Sequence, residues 1–167
     1  MAGLARGRLA EERKQWRKDH PPGFVAKPRT KADGSTDLMI WDCKVPGREG
    51  TDWEGGLFPV TIVFSEGYPN QAPACYLPQG FFHPNVFENG QICLSLINDD
   101  PDLGGAWRPA VTNKQILQGI QELLDDPYTR SPAQRLATEL HAADPEAYRR
   151  HVRAMVARYP ADREGAA

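Results

Sequence analysis

The sequence lacks long apolar runs and any strong excess of one charge. No segment approaches the roughly 20 apolar residues that span a bilayer, and residues 1–10 lack the apolar stretch of a secretory signal. A net charge of −2, from 20 basic and 22 acidic residues, gives no overall attraction to nucleic acid or to membranes. We therefore expect neither a nucleic-acid partner nor a membrane partner.

Cysteine is scarce as well. The chain has three cysteines and no C-x-x-C pair, which fits an intracellular, reducing compartment better than a disulfide framework. The four histidines do not cluster with the cysteines, and no phosphate-binding glycine loop is present. We expect no metal and no nucleotide cofactor on this chain. Taken singly, a cysteine such as Cys43, Cys75 or Cys93 is more often a buried apolar residue than a reactive group.

What is present is an ordinary globular composition, 40% hydrophobic and 25% charged, with helical periodicity at the start. Residues 1–20 predict an amphipathic helix that ends at Pro21-Pro22-Gly23. The positions on its predicted inward side are Ala5, Leu9, Glu12 and Trp16. The adjacent stripe is basic, and it is either a solvated face or a docking surface for an acidic partner. Its members are Arg6, Arg13, Arg17 and His20.

Strand patterns follow the helix. Residues 24–27, 37–45 and 57–64 predict strands, because turn residues separate them and the third alternates apolar and polar positions. In the proline-rich region that comes next, only a short edge strand near residues 74–77 is expected. Strands joined in this order predict a four-stranded antiparallel meander.

Three helices are predicted after the strands. Thr112 caps the first, with Gln115 as its reciprocal partner. Ser131-Pro132 opens the second, and Asp144-Pro145 opens the third. The elements together predict one α+β domain over residues 1–160, with a frayed tail at residues 161–167.

One stretch of the sequence combines residues that are suited to catalysis. His83-Pro84-Asn85 is followed, eight residues after Asn85, by Cys93. A thiol nucleophile with a side-chain amide nearby offers what acyl transfer through a thioester requires.

With these pieces in this order, the chain resembles the ubiquitin-conjugating enzymes over about residues 4–159. The motifs that carry the resemblance are His83-Pro84-Asn85, Gly90-Gln91-Ile92-Cys93-Leu94 and Trp107-Arg108-Pro109-Ala110. Residues 12–21 and 53–58, together with Ser95, are similar to the SUMO-conjugating branch. The resemblance implies the α+β ubiquitin-conjugating enzyme fold, with an N-terminal helix, a four-stranded antiparallel meander and C-terminal helices.

The resemblance also implies an acyltransferase activity. Cys93 is expected to accept SUMO from the SUMO-activating enzyme, which consumes the ATP, and to pass it to lysine-bearing protein substrates with the help of SUMO ligases. Asn85 either donates a hydrogen bond to the tetrahedral oxyanion or only braces its loop. His83 is more usually structural in this family. A monomer in the nucleus and cytoplasm follows from the resemblance alone.

The resemblance gives the basic helix face two roles. Arg13, Arg17 and His20 match positions that bind a second SUMO non-covalently, and Arg13, Lys14, Arg17 and Lys18 match the face used by the activating enzyme.

Two departures concern the slot for the substrate lysine. Phe87 stands where the branch usually has tyrosine, and Ser131 stands where it has aspartate. Both groups normally help to position the lysine and favour its neutral form. Asp125, Asp126 or Tyr128 are candidates to replace them.

Two further departures concern substrate recognition. Ala74 and Tyr76 replace the lysines that read the acidic residue of the usual hydrophobic-Lys-x-Glu target, so we expect weaker or altered reading of that motif. Residues 98–106 are about four longer than the branch pattern. This acidic stretch is either a rim that attracts the substrate lysine or a tolerated insertion with flexibility at Gly104-Gly105.

Three alternatives remain at this stage. One is the same chemistry with ubiquitin or another ubiquitin-like protein. Another is a non-catalytic binding module on the same fold. The third is a cysteine hydrolase, which would need a histidine base beside Cys93.

Overall fold

A computed structural model describes residues 2–161. Its centre is an antiparallel sheet of four strands in the order β1-β2-β3-β4, which confirms the predicted meander. The strands are β1 Val25–Thr30, β2 Thr36–Pro46, β3 Leu57–Val63 and β4 Ala74–Tyr76. β1 runs further than predicted and includes Pro28, where its register with β2 shifts. An edge strand tolerates this proline because one side of its backbone needs no partner.

The N-terminal helix α1, Ala2–Lys18, covers one face of β2. All four predicted inward positions are buried, which confirms that prediction. One of them is charged: Glu12 accepts hydrogen bonds from the Asn113 backbone N–H at 2.9 Å and from Arg8 at 3.2 Å. Arg8 in turn donates to the carbonyls of Pro109 and Val111, at 2.6 and 3.0 Å. Because both charges are paired, this cluster can tie α1 to the segment before the next helix without an unpaired buried charge.

Two of the three C-terminal helices begin where the sequence predicts. Helix α2, Asn113–Asp125, starts after a complete capping box between Thr112 and Gln115 and also packs on β2. Helix α4, Pro145–Arg158, starts after Asp144, whose side chain accepts from the Ala147 N–H. No helix within residues 2–161 is long and apolar enough to cross a membrane.

The remaining helix is present, but its predicted start at Ser131-Pro132 was wrong. Helix α3, Arg135–Ala143, begins four residues after Ser131, with Gln134 in the N-cap position. The residues before it bond to the active-site loop instead: the Ala133 N–H donates to the Pro84 carbonyl at 2.8 Å, and the Ser131 carbonyl accepts from Asn85 at 3.2 Å. These contacts satisfy the backbone in an irregular path, so the Ser-Pro signal does not start a helix here.

The chain end is partly described. The Ala161 N–H donates to the Gly55 carbonyl at 2.9 Å, so the first residue of the predicted frayed tail is bonded to the domain. Residues 162–167 lie outside the described residues.

Candidate active site

His83 anchors the loop that carries the candidate nucleophile. Its ring is fully buried, Nε2 donates to the Leu123 carbonyl at 2.8 Å, and Nδ1 accepts from the Asn85 N–H at 3.0 Å. Burial lowers the pKa of His83 to about 4, so the ring is neutral and in the Nε2–H tautomer that these two bonds require. Both nitrogens are occupied, which makes His83 a brace rather than a base.

Asn85 braces the opposite side of the same loop. Its Nδ2 donates to the carbonyls of Tyr128 at 2.7 Å and Ser131 at 3.2 Å, and its Oδ1 accepts from the Tyr128 N–H at 2.8 Å. Each amide hydrogen therefore has a backbone acceptor in this structure. These bonds show directly that Asn85 braces its loop. The oxyanion role stays a prediction, and it requires one of these two bonds to be exchanged for a bond to the reacting oxygen.

Cys93 is placed by the loop that these residues hold. Its N–H donates to the Asn85 carbonyl at 2.8 Å, and the preceding Ile92 N–H donates to the Cys75 carbonyl at 2.8 Å. The Cys93 side chain is partly exposed, whereas Cys43 and Cys75 are buried. Burial raises the pKa of the Cys43 thiol, and it raises that of Cys75 to about 12. Among the three cysteines, Cys93 is therefore the one that a large substrate can reach.

Cys93 lies in an open groove of about 740 Å³. Phe87, Tyr128 and Ser131 line the groove with it, so three of the five proposed lysine-slot residues are brought to the nucleophile. Asp125 and Asp126 are exposed at the end of α2 and do not line the groove. Among the described lining residues, Asp99 alone carries a charged side chain, and none is a histidine.

The loop after the nucleophile has a defined path. Asp99 Oδ2 accepts from the Ala72 N–H at 2.9 Å, and the Gly105 N–H donates to the Asp100 carbonyl at 2.9 Å. Gly104 has a φ of +78°, and a Cβ on Gly105 would stand 2.2 Å from the Asn98 carbonyl oxygen. The glycines that predict flexibility are thus the residues that permit this folded path.

The basic face of α1 is accessible. Arg6, the first member of the predicted basic stripe, pairs with Glu66 at 3.1 Å. Among residues 2–161, no ion-pair partner is found for the four cations that match the docking face, Arg13, Lys14, Arg17 and Lys18, which are exposed or half-buried. His20 stacks on the Trp16 ring, with centroids 5.3 Å apart, and its Nδ1 lies 2.8 Å from the Trp16 carbonyl oxygen. His20 therefore closes the end of the helix next to the cationic face.

Sequence reasoning missed two residues at this site. Gln134 donates from Nε2 to the carbonyls of Phe81 at 2.8 Å and Val86 at 3.0 Å, holding the start of α3 to the active-site loop. Nothing in the sequence marks it. Leu103 lines the groove although it is highly exposed. The sequence does offer a signal for Leu103, because it is an apolar residue between an aspartate and two glycines.

Comparison with known proteins defines the class to which this fold and groove belong. The family model described as ubiquitin-conjugating enzyme matches residues 8–156. The chain therefore belongs to the ubiquitin-conjugating enzyme family, which confirms the resemblance and the α+β fold that it implies.

The relatives narrow the comparison to one branch of that family. The chain is 56% identical over 160 residues to the SUMO-conjugating enzyme SCE1 of Arabidopsis thaliana, covering 96% of this chain and 98% of the relative. It is 48% identical, with the same coverage, to the Sumo-conjugating enzyme ubc9 of Dictyostelium discoideum.

Proposed function

We propose that this chain is a SUMO-conjugating enzyme that carries SUMO as a thioester on Cys93 and transfers it to substrate lysine amines. The observation that carries the proposal is the single accessible thiol, Cys93, held in a groove of a chain that is 56% identical to a SUMO-conjugating enzyme.

The chemistry has two steps at one sulfur. The Cys93 thiolate attacks the thioester between SUMO and the activating enzyme, forms a new thioester and releases the activating enzyme's thiol. A lysine amine then attacks the Cys93 thioester, forms an isopeptide bond, loses a proton and releases the thiolate. A thiolate serves both steps because it is a good nucleophile and a good leaving group.

Asn85 stabilises the tetrahedral oxyanion in this proposal. Its Nδ2 group is buried and oriented by Oδ1, which accepts from the Tyr128 N–H. A donor held in advance loses little on reorganisation when charge develops. A small shift of Ser131 would break the longer of its two bonds, 3.2 Å to the Ser131 carbonyl, and free that hydrogen for the oxyanion while the Tyr128 N–H keeps the amide oriented.

The groove itself helps to deliver a neutral lysine. Phe87 and Tyr128 give apolar walls, and removal of an ammonium from water lowers its pKa from the usual value near 10.4. Ser131 adds a neutral hydrogen-bonding group. Asp125 and Asp126 lie outside the groove lining, so we assign them no direct contact with the lysine.

The partners follow from the same proposal. We assign a set of basic residues on and beside α1 to the activating enzyme and to non-covalent SUMO binding, because an acidic partner surface gains association rate and specificity from them. The set is Arg13, Lys14, Arg17, Lys18 and His20. SUMO ligases and lysine-bearing proteins are the further partners. We propose that the chain acts as a monomer in nucleus and cytoplasm, and that ATP is used by the activating enzyme and not bound here.

The alternatives differ in what they require of the groove. A hydrolase needs a base beside Cys93, but no histidine lies among the described lining residues and both nitrogens of His83 are occupied. A binding module needs no accessible thiol. Conjugation of ubiquitin or another ubiquitin-like protein needs the same groove, so the modifier must be tested directly.

The test is a charging assay with ATP and either SUMO with its activating enzyme or ubiquitin with its own, read on non-reducing gels. We expect a reductant-sensitive adduct with SUMO, absent in Cys93→Ala and retained in Cys75→Ala. An adduct with ubiquitin alone would assign the chain to the other branch. Absence of any adduct from folded protein would favour the binding module.

The role of the α1 face has its own test. The double variant Arg13→Glu/Arg17→Glu should slow charging by about tenfold at low salt and leave a reaction that is less sensitive to salt. Arg150→Glu/Arg153→Glu reverses two exposed charges on α4 and is the matched control. Equal charging rates in both variants would remove the docking role from α1.

A further inference from the structure

The groove beside Cys93 collects exposed apolar side chains. Among the described residues, six large apolar side chains are exposed, and three of them line this groove: Phe87, Leu103 and Tyr128. Leu103 is the most exposed of the six, at 73%. Solvent-facing apolar groups gathered in one concave surface indicate a binding site more strongly than the same groups scattered singly.

Leu103 is held in place. The Leu103 N–H donates to the Asp100 carbonyl at 3.1 Å inside a short 3-10 turn, Pro101–Leu103, which Asp100 caps. Asp99 fastens the same loop to Ala72 through its 2.9 Å hydrogen bond. Residues 72–74 and the loop 98–105 therefore form one wall of the groove, and Leu103 belongs to it.

The charge of this wall is acidic. No described lining residue of the groove is cationic, and within residues 2–161 no ion-pair partner neutralises the Asp99 carboxylate. An acidic substrate residue at this wall would face a like charge with no compensating cation. An apolar side chain would instead remove the exposed surface of Leu103 from water.

We propose that the wall formed by residues 72–74 and 98–105 binds a second hydrophobic side chain of the substrate, distinct from the hydrophobic residue of the usual hydrophobic-Lys-x-Glu target, and disfavours a carboxylate there. The occupant is the extended substrate segment that carries the lysine, because the wall and Cys93 share one continuous groove. Leu103 supplies the apolar contact and Asp99 the discrimination against acid. This inference rests on the proposed function, since it concerns the second transfer step.

The experiment follows discharge of the purified SUMO–Cys93 thioester to peptides in a single turnover, so that charging does not enter the rate. Each peptide has one lysine preceded by the same valine, and carries leucine, glutamine or glutamate at one other flanking position at a time. The enzymes are wild type, Leu103→Ser, Asp99→Asn and Leu136→Ser. Leu136 is an exposed leucine on α3 outside the groove and serves as the matched control, and Asp99→Asn keeps an acceptor for the Ala72 N–H.

At one or more positions we expect leucine to be modified about fivefold faster than glutamine, the factor expected when roughly half of a leucine side chain is buried. Glutamate should be slower than glutamine at that position. Leu103→Ser should remove the leucine preference, Asp99→Asn should relax the discrimination against glutamate, and Leu136→Ser should change neither.

Two results would overturn the proposal while leaving the transferase intact: discharge with no preference for leucine at any position, or equal loss of the preference in Leu103→Ser and Leu136→Ser. Failure of wild type to form the SUMO thioester at all would instead overturn the proposed function, and this inference with it.

Discussion

The floor and the rim of the active-site groove are built in different ways. The floor is the support behind the groove lining: His83, Asn85 and Gln134 do not line the groove, but their side chains bond to backbone groups of neighbouring segments and hold the Cys93 loop. The rim consists of Phe87, Ser131 and the loop 98–105, most of whose side chains face solvent. In the floor, His83 and Asn85 belong to the His83-Pro84-Asn85 motif, whereas Phe87 and Ser131 in the rim depart from the branch pattern. A floor that is fixed through backbone contacts lets the rim change substrate choice without moving the nucleophile.

The largest effect should come from the floor at Asn85. We expect Asn85→Ala to slow discharge of the thioester to lysine by about 100-fold, because removal of one preorganised oxyanion donor typically costs about 3 kcal/mol of transition-state stabilisation. The measurement is single-turnover discharge to free lysine, together with the melting temperature of each variant.

Gln134→Ala is the control for the bracing role of Asn85. It removes two side-chain bonds to the same loop, at Phe81 and Val86, but no group that we assign to the oxyanion. If Gln134→Ala lowers the melting temperature as much as Asn85→Ala while discharge falls only a few-fold, the donor role holds. Equal losses of discharge at equal losses of stability would reduce Asn85 to a brace.

A second prediction concerns the pH dependence of folding, again through the floor. The pKa of His83 is about 4 in the folded chain and near 6.5 when unfolded. The unfolded chain therefore binds the extra proton first, so this contribution to stability is present above pH 6.5 and is lost as the pH falls towards 4. Between pH 7 and pH 5 the free energy of unfolding should fall by about 2 kcal/mol from this group.

Denaturant unfolding at the two pH values measures the difference. His83→Gln should be less stable at pH 7, because the bonds to Leu123 and Asn85 are perturbed, but should lose less stability on going to pH 5. A variant that loses the same 2 kcal/mol would place the acid sensitivity in other groups.

The sequence predicts this fold well where the signals are local. The capping box at Thr112 and the inward face of α1 are set by nearest neighbours and helical spacing, and both are as expected. Ser131-Pro132 shows the limit. Its signal for a helix start is local, but the hydrogen bonds of Ala133 to Pro84 and of Ser131 to Asn85, across 49 and 46 positions, determine the path.

The candidate site likewise has features that the sequence predicts and features that it does not. The motif around Cys93 identifies the nucleophile, because the family fixes the residue types and their spacing. Whether an aspartate reaches the groove depends on where the chain turns after α2, and the groove takes in Asp99 but not Asp125 or Asp126. A charge pattern in the sequence carries no such three-dimensional information.

The smallest effect should come from the rim at Ser131. Ser131→Asp restores a carboxylate to an exposed position on the groove, and an exposed ion pair with the incoming ammonium is worth about 0.5–1 kcal/mol. Although the resemblance implies that an aspartate here favours the neutral lysine, an ionised carboxylate by itself stabilises the charged amine and opposes loss of its proton. We therefore expect KM for the lysine acceptor to fall about two- to fivefold at low salt, with kcat little changed.

Thr129→Asp, an exposed neighbour outside the groove lining, is the control. If both variants lower KM equally, general attraction explains the effect, and the rim position itself contributes nothing specific.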